Sequence, residues 1–407
     1  MSREQESDLS SLTLPPIPKG WGYVRLEDLL EPDGLSYGIV QPGSDDAEGV
    51  PILRVKNLQS GIQTDDVIRV SPEVERQYRR SRLKGGEVLL SLVGSVGTVG
   101  IAPLHVSGWN VARAIAVIRV RGHANFWVKY YLSSDVPQHY MHAWKTTTVQ
   151  AKLNLRDVRR LPIALPPRHE RDAIVTLLTA LDDKFVVNER IARTADDLRS
   201  VRFLRWVQSD PARVDSGPLS SAASFVNGRA FTKNATGAGR MVIRIAEINS
   251  GPGMSTVYND LEVPDVHLAR PGDVLFAWSG SLAVARWHRP EAIVNQHIFK
   301  VIPSTGMPTW LVYELIKAKL ADFKGIAADK ATTMGHIQRH HLDETVVAPK
   351  AQYISGLDAE LGPLWDRALA AEQEALTLAE LRDTLLPALM SGVIRVREAE
   401  RIVEDVT

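Results

Sequence analysis

"GGEVLLSLVGS", Gly85 to Ser95, and "PGDVLFAWSGS", Pro271 to Ser281, are two versions of one stretch. The first alone invites a nucleotide-binding reading. It sits in "KGGEVLLSLVGSVGTVG", Lys84 to Gly100, with five glycines after a basic run of Arg76, Arg79, Arg80, Arg82 and Lys84. The second copy, "RPGDVLFAWSGSLAVAR", keeps Gly86, Val88, Leu89, Gly94 and Ser95 as Gly272, Val274, Leu275, Gly280 and Ser281. Aligned without gaps, Gly97 and Gly100 become Ala283 and Arg286. A phosphate cradle needs those glycines, because backbone N–H groups must approach the anion closely. What persists is a turn, a buried strand and a Gly-Ser turn, which is framework.

Other matches follow in the same order. "ILRVKNLQSG" (52–61) pairs with "VIRIAEINSG" (242–251), and "FWVKYYL" (126–132) with "TWLVYEL" (309–315). Thr147 and Thr148 fall over Thr332 and Thr333. One ordered set of matches at a long offset is a duplicated domain, not a short-period solenoid. Within each copy, β-branched runs such as "PILRV", "DVIRV", "EVLLSLV" and "ARAIAVIRV" read as strands. "NFWVKYYLSS" and "TWLVYELIKAKLADF" read as one helix per copy.

A different period follows each copy. Ile174, Leu178, Leu181, Phe185, Asn188, Ala192 and Ala195 are spaced alternately four and three apart. Leu357, Leu361, Leu364, Ala368, Ala371, Ala375, Leu378 and Leu385 continue that pattern after the second copy. Both are heptad seams. Asn188 either fixes the register of a packed seam or sits just off it, facing water. Pro363 is expected to kink or delay the second helix. Two such helices are each other's simplest partners. The fold class is therefore α+β, two tandem-duplicated domains and two long antiparallel coiled-coil helices with a pseudo-two-fold axis. The expected boundaries are an N-terminal tail 1–20, a first domain 21–170, a long helix 171–210, a second domain 217–350, a second long helix 351–392 and a C-terminal tail 393–407. Helices of about 36 residues reach about 54 Å, which could set two readers about one turn of B-DNA apart.

Composition narrows the function classes. The 407 residues carry 48 basic and 48 acidic side chains and no cysteine, which excludes disulfides, thiolate zinc sites and a cysteine nucleophile. Charge is unevenly spread: about +4 over 21–170, about +3 over 217–352 and about −6 over 353–407. No run of about 18 apolar residues suggests a membrane span. "MSREQESDLSSLTLPP" lacks an apolar signal core, so a cytoplasmic protein is expected.

Several segments resemble the specificity subunit of type I restriction–modification systems. They are "LPPIPKGWGYVRLEDLL" at the start, "LPPRHERDAIVTLLTALDDKFVVNERIARTADDLRSVRFLRW" in the centre, "GDVLFAWSGS", "NQHIFKVIP" and "LRDTLLPALMSGVIRV". The resemblance implies that each globular copy is a target-recognition domain for one half of a split double-stranded DNA sequence. It implies that the helices dock DNA methyltransferase subunits, two by the repeat, and a restriction subunit that translocates and cleaves. S-adenosylmethionine, ATP and Mg would then serve those partners, not this chain.

No Walker A loop, H-E-x-x-H or G-x-S-x-G is present. "GHIQRHH" places His336 and His340 on one face if helical, but it has no evident third ligand for a metal. The DNA candidates form three groups. Arg54, Lys56 and Asn57, with Arg244, Glu247 and Asn249, lie on what reads as a strand and suit guanine, adenine and cytosine edges. Lys145, Thr147, Thr148 and Lys152, with Thr332, Thr333 and His336, suit phosphates and base edges. Arg113, with Asn295, Gln296 and His297, and the turn serines Ser95 and Ser281 complete the set. The basic run from Arg76 to Lys84 either grips phosphates or is a solvated face. Two rivals remain at this stage: an assembly scaffold with degenerate recognition domains, and a nucleotide-binding enzyme using 84–100.

Overall fold

The computed structural model describes residues 12–58, 61–122, 124–147, 151–329 and 335–406. Chain contacts divide it into two units, Met1–Asp182 with Glu380–Thr407, and Asp183–Ala379.

Unit 1 is built on Val88–Ser91, whose four side chains are all buried. The run is apolar on both faces, so it becomes a central strand covered on both sides. The sheet order is Leu30–Tyr37, Ile115–Val120, Val88–Ser91, Val99–Ile101, antiparallel throughout. Helix Asn125–Leu132 packs on Val88–Ser91 and Val99–Ile101 and buries Trp127. A second helix, Asp135–Trp144, follows it after a break at Ser133 and Ser134, so this copy has two helices where the sequence suggested one. A second sheet has the order Ile68–Val70, Val50–Leu53, Asn110–Val111, and its last pair is parallel.

Unit 2 repeats this plan. The antiparallel sheet runs Ala223–Asn227, Ile298–Pro303, Val274–Ala277, Ala283–Arg286. The second sheet again contains a parallel pair, with Val242 opposite Ile293 and Ile243 opposite Val294, as Ile52 is opposite Asn110 and Leu53 opposite Val111. Register corrects one alignment made from sequence. Val88 pairs with Ile101, and its counterpart Val274 pairs with Arg286. Ala285, not Arg286, therefore occupies the place of Gly100, because the turn after Gly280 is one residue shorter.

The long helices are α1, Arg168–Ser209, and α2, Ala351–Ser391. α1 begins directly after Pro166 and Pro167. Pro363 does not delay α2, which starts at Ala351 and continues through it. In unit 2 the two run antiparallel, joined by Lys184–Glu374 at 2.7 Å and Arg202–Glu360 at 3.3 Å. In unit 1 the ion pairs Asp182–Arg382 at 3.0 Å and Glu170–Arg395 have the same sense. Ile174, Leu178, Leu181, Ala192 and Ala195 are buried and Phe185 is half-buried. Asn188 is 3% exposed, so it lies on the seam rather than beside it. In α2, Leu357, Leu361, Leu378 and Leu385 are buried, but Leu364 is only partly so. Trp365 takes its place, because Arg199 and Arg286 stack on its ring at 4.9 and 4.4 Å. The segment expected as a C-terminal tail is helical over Val396–Val406 and buries Ala399 completely.

Candidate nucleic-acid interface

Two parallel strand ends build the same ledge in each unit. In unit 1 the amide of Ala112 donates to Leu53 O at 2.8 Å, which holds the chain leaving Asn110–Val111 against the end of Val50–Leu53. Arg113 N donates to Ile39 O at 2.8 Å, and Leu92 N to Ala114 O at 2.7 Å. Leu153 N donates to Leu92 O at 2.9 Å and Gly94 N to Ala151 O at 3.1 Å, which brings Lys152 beside the turn carrying Ser95. The bonds recur in unit 2: Gln296 N to Arg229 O at 2.9 Å, Trp278 N to His297 O at 3.1 Å, Ile337 N to Trp278 O at 3.1 Å, and Gly280 N to Gly335 O at 2.8 Å. Arg113, Ser95 and Lys152 thus share one ledge, and Gln296, His297, Ser281 and His336 share the other. All are exposed except Lys152, which is half-buried.

The backbone beneath is closely fitted. A Cβ on Gly38 would fall 2.1 Å from Val111 O, and one on Gly228 would fall 2.1 Å from Asn295 O. Only glycine allows that approach. His297 has φ 73°, a conformation that non-glycine residues adopt mainly where surrounding structure imposes it. Its ring lies 5.2 Å from Trp278, whose Nε1 donates to Asn227 Oδ1 at 2.8 Å. Trp278 also meets His336, ring to ring, at 6.3 Å.

Other candidates are engaged elsewhere. The stretch read as a strand through Asn57 ends at Leu53 and turns into a short 3-10 helix, Val55–Leu58; its counterpart is the helix Ile245–Ser250. Asn57 is buried, accepting from Arg54 N at 2.9 Å and donating to Asp65 O at 3.3 Å. Glu247 is buried and takes two hydrogen bonds from the Arg244 guanidinium, at 2.6 and 3.0 Å. Burial raises the pKa of Glu247, but Arg244 and Thr256 outweigh it and hold the carboxyl below its ordinary value. Arg54 donates to Asp66 O at 2.8 Å, and Lys56 pairs with the Asp66 carboxylate. These groups cap and brace their own turns instead of facing a groove. Asn249 is exposed, and among the described residues it alone of that group has no side-chain hydrogen bond or ion pair. Asn295 is buried, and its Oδ1 accepts from Phe231 N at 3.1 Å. Lys145 contacts His142 Nδ1 at 2.9 Å. Thr147 pairs through its backbone with Ala151. Thr148, Thr332 and Thr333 lie outside the described residues.

The glycine-rich stretch is closed to an anion. Lys84 N and Gly85 N both donate to the buried Glu87 carboxylate, at 2.7 and 2.9 Å. In unit 2, Asp273 accepts from Arg270 N at 2.8 Å in the same way. The amides a phosphate would use are filled by the chain's own acid. Three cations of the basic run are likewise engaged: Arg76, Arg80 and Arg82 pair with Glu73, Asp33 and Glu75. The tryptophans matched between copies are core, with Trp127 Nε1 donating to Ala164 O and Trp310 Nε1 to Asp358 Oδ1.

Sequence reading missed Arg229. It is exposed, and its carbonyl accepts the Gln296 amide. Burial, aided by the nearby Arg229 charge, pushes the His267 imidazole below its ordinary pKa. Ile39 is the equivalent residue in unit 1, so the duplication gave no signal for it.

Two like ledges, framed alike and carrying different side chains, are what readers of two sequences require. The profile of the type I restriction modification DNA specificity domain matches residues 18–194. That stretch is similar to the family's DNA specificity domain. The resemblance drawn from the sequence is borne out. The type I restriction enzyme EcoBI specificity subunit of Escherichia coli is 29% identical over 224 residues, covering 51% of this chain and 47% of that protein. The match thus spans about half the length of that relative. The type I restriction–modification S subunit of M. genitalium shares the fold, with a TM-score of 0.58 at 15% identity over 93% of this chain and 97% of that one. The likeness of fold therefore extends over both units. Among the described residues no helix is long and apolar enough to cross a membrane.

Proposed function

We propose that this specificity chain is the DNA-recognition and assembly subunit of a type I restriction–modification complex, reading a bipartite double-stranded target with one unit per half-site. One observation carries the reading: the same hydrogen-bonded ledge is built twice, with Arg113 at a position that Gln296 holds in the other copy. A shared frame with exchanged tips keeps orientation on the duplex while changing the sequence read.

Docking of methyltransferase subunits is supported by α1 itself. Val186, Val187, Leu198, Val201 and Leu204 are exposed on it, at 39–56% of their free surface. Exposed apolar residues grouped on one element mark a partner surface. The chain does no chemistry in this reading. S-adenosylmethionine, ATP and Mg are handled by two methyltransferase subunits and by restriction subunits, in the cytoplasm. The engaged amides of Lys84 and Gly85 argue against the nucleotide-enzyme alternative.

Methylome sequencing of cells carrying the methyltransferase partner, with and without this gene, tests the proposal. Modification at a two-part sequence that disappears with the gene is expected. An unchanged methylome from an assembled complex overturns it in favour of a scaffold. Leu204→Glu with Val201→Asp should abolish co-purification of the methyltransferase while leaving the unfolding midpoint nearly unchanged, as exposed substitutions do.

A further inference from the structure

We propose that Arg113 and Gln296 are the equivalent base-reading positions of the two units, Arg113 selecting a guanine in one half-site and Gln296 an adenine in the other. The proposal rests on the recognition reading above and goes beyond it to the base chosen at each position.

Equivalence comes from register, not from sequence, since "VARAIAV" and "VNQHIFK" share little. Ala112 forms a parallel bridge with Ile39, and Asn295 forms one with Arg229. Ser91 faces Ile115 across the sheet as Ala277 faces Ile298. Counting back two residues from those isoleucines gives Arg113 and Gln296.

The frame at both positions is rigid and the tip is available. Each amide is tied to the facing strand end, Arg113 to Ile39 O and Gln296 to Arg229 O. Gly38 and Gly228 leave no room for the ledge to shift. Both side chains are exposed, and among the described residues neither has a hydrogen bond or ion pair. Their polar neighbours differ in this respect: Asn295, Arg54 and Arg244 are engaged with their own unit. A base reader needs an ordered stem and an unengaged planar fork. Arginine offers paired donors that fit guanine O6 and N7, and glutamine offers the donor and acceptor that fit adenine N7 and N6. Arg229, beside Gln296, adds a cation without a counterpart in unit 1. It suits a phosphate, which anchors without selecting sequence.

The test uses the full chain purified with its methyltransferase partner. Duplex libraries, one half-site randomised at a time, are selected by binding and sequenced. Gln296→Ala should relax a single adenine position in one half-site by about 5- to 150-fold, the range of one bidentate pair. Gln296→Arg should turn that position to guanine. Arg113→Ala should relax a guanine in the opposite half-site, and Arg229→Ala should weaken all sequences alike. Unfolding midpoints within about two degrees of the parent show that the fold is kept. Variants that weaken every position equally, or leave every preference intact, overturn the assignment while the recognition reading stands. A parent complex that selects no two-part sequence overturns the recognition reading itself, and this assignment with it.

Discussion

Arg286 ties the sheet of unit 2 to its helices, and its removal should be costly. The guanidinium is 3% exposed. It donates to Glu372 at 2.8 Å and to both carboxylate oxygens of Asp196, at 3.1 and 3.0 Å, and lies 4.4 Å over the Trp365 ring. Burial lowers its pKa, but the two carboxylates outweigh that and raise it further, so it stays charged. Arg286→Ala leaves two carboxylates short of a partner. Removing one member of a buried ion pair costs about 3–5 kcal/mol. Asp196 and Glu372 keep roughly a quarter of their surface, so water offsets part of the loss. We expect about 2–3 kcal/mol. For a unit of roughly 200 residues that is a midpoint drop of about 5–10 °C. Calorimetry gives the midpoint, and hydrogen exchange assigns it: protection should fall over 274–286 and hold over 88–101. A double-mutant cycle with Glu372→Gln should show coupling above about 1 kcal/mol. A midpoint drop below about 2 °C, or strictly additive single effects, would refute the reasoning.

Two further outcomes follow from unit geometry. Burial raises the pKa of Asp182, but Lys129 at 2.5 Å, Arg382 at 3.0 Å and Tyr130 at 2.8 Å outweigh it and hold the carboxyl below its ordinary value. The unfolded chain then takes up the proton first, so this stabilisation is complete above a pH of about 4 and is lost as pH falls further. Acid unfolding monitored by circular dichroism should show that loss, and Asp182→Asn should remove its share of the pH dependence. Gly228→Ala places a methyl 2.1 Å from Asn295 O, and should cost about 2 kcal/mol or more in thermal unfolding while erasing base preference in one half-site only.

Periodicity and repetition carried much of this protein's architecture. The doubled "VLL" and "VLF" strands, the heptads of α1 and α2, and the buried Trp127 and Trp310 were all legible, because burial imposes a period on sequence. Element ends were less so. Asn57 and Glu247 have the chemistry of base readers, but a capping side chain and a groove-reading side chain use the same atoms, and only burial tells them apart. Arg286 looked like a lost glycine until strand register moved it by one residue and set it against Asp196 and Glu372. The ledge itself depends on contacts between segments more than 70 residues apart, such as Arg113 with Ile39. Local sequence determines which strands and helices form. Which side chains remain unengaged at their ends is decided by what packs beside them, and that is a property of the tertiary structure.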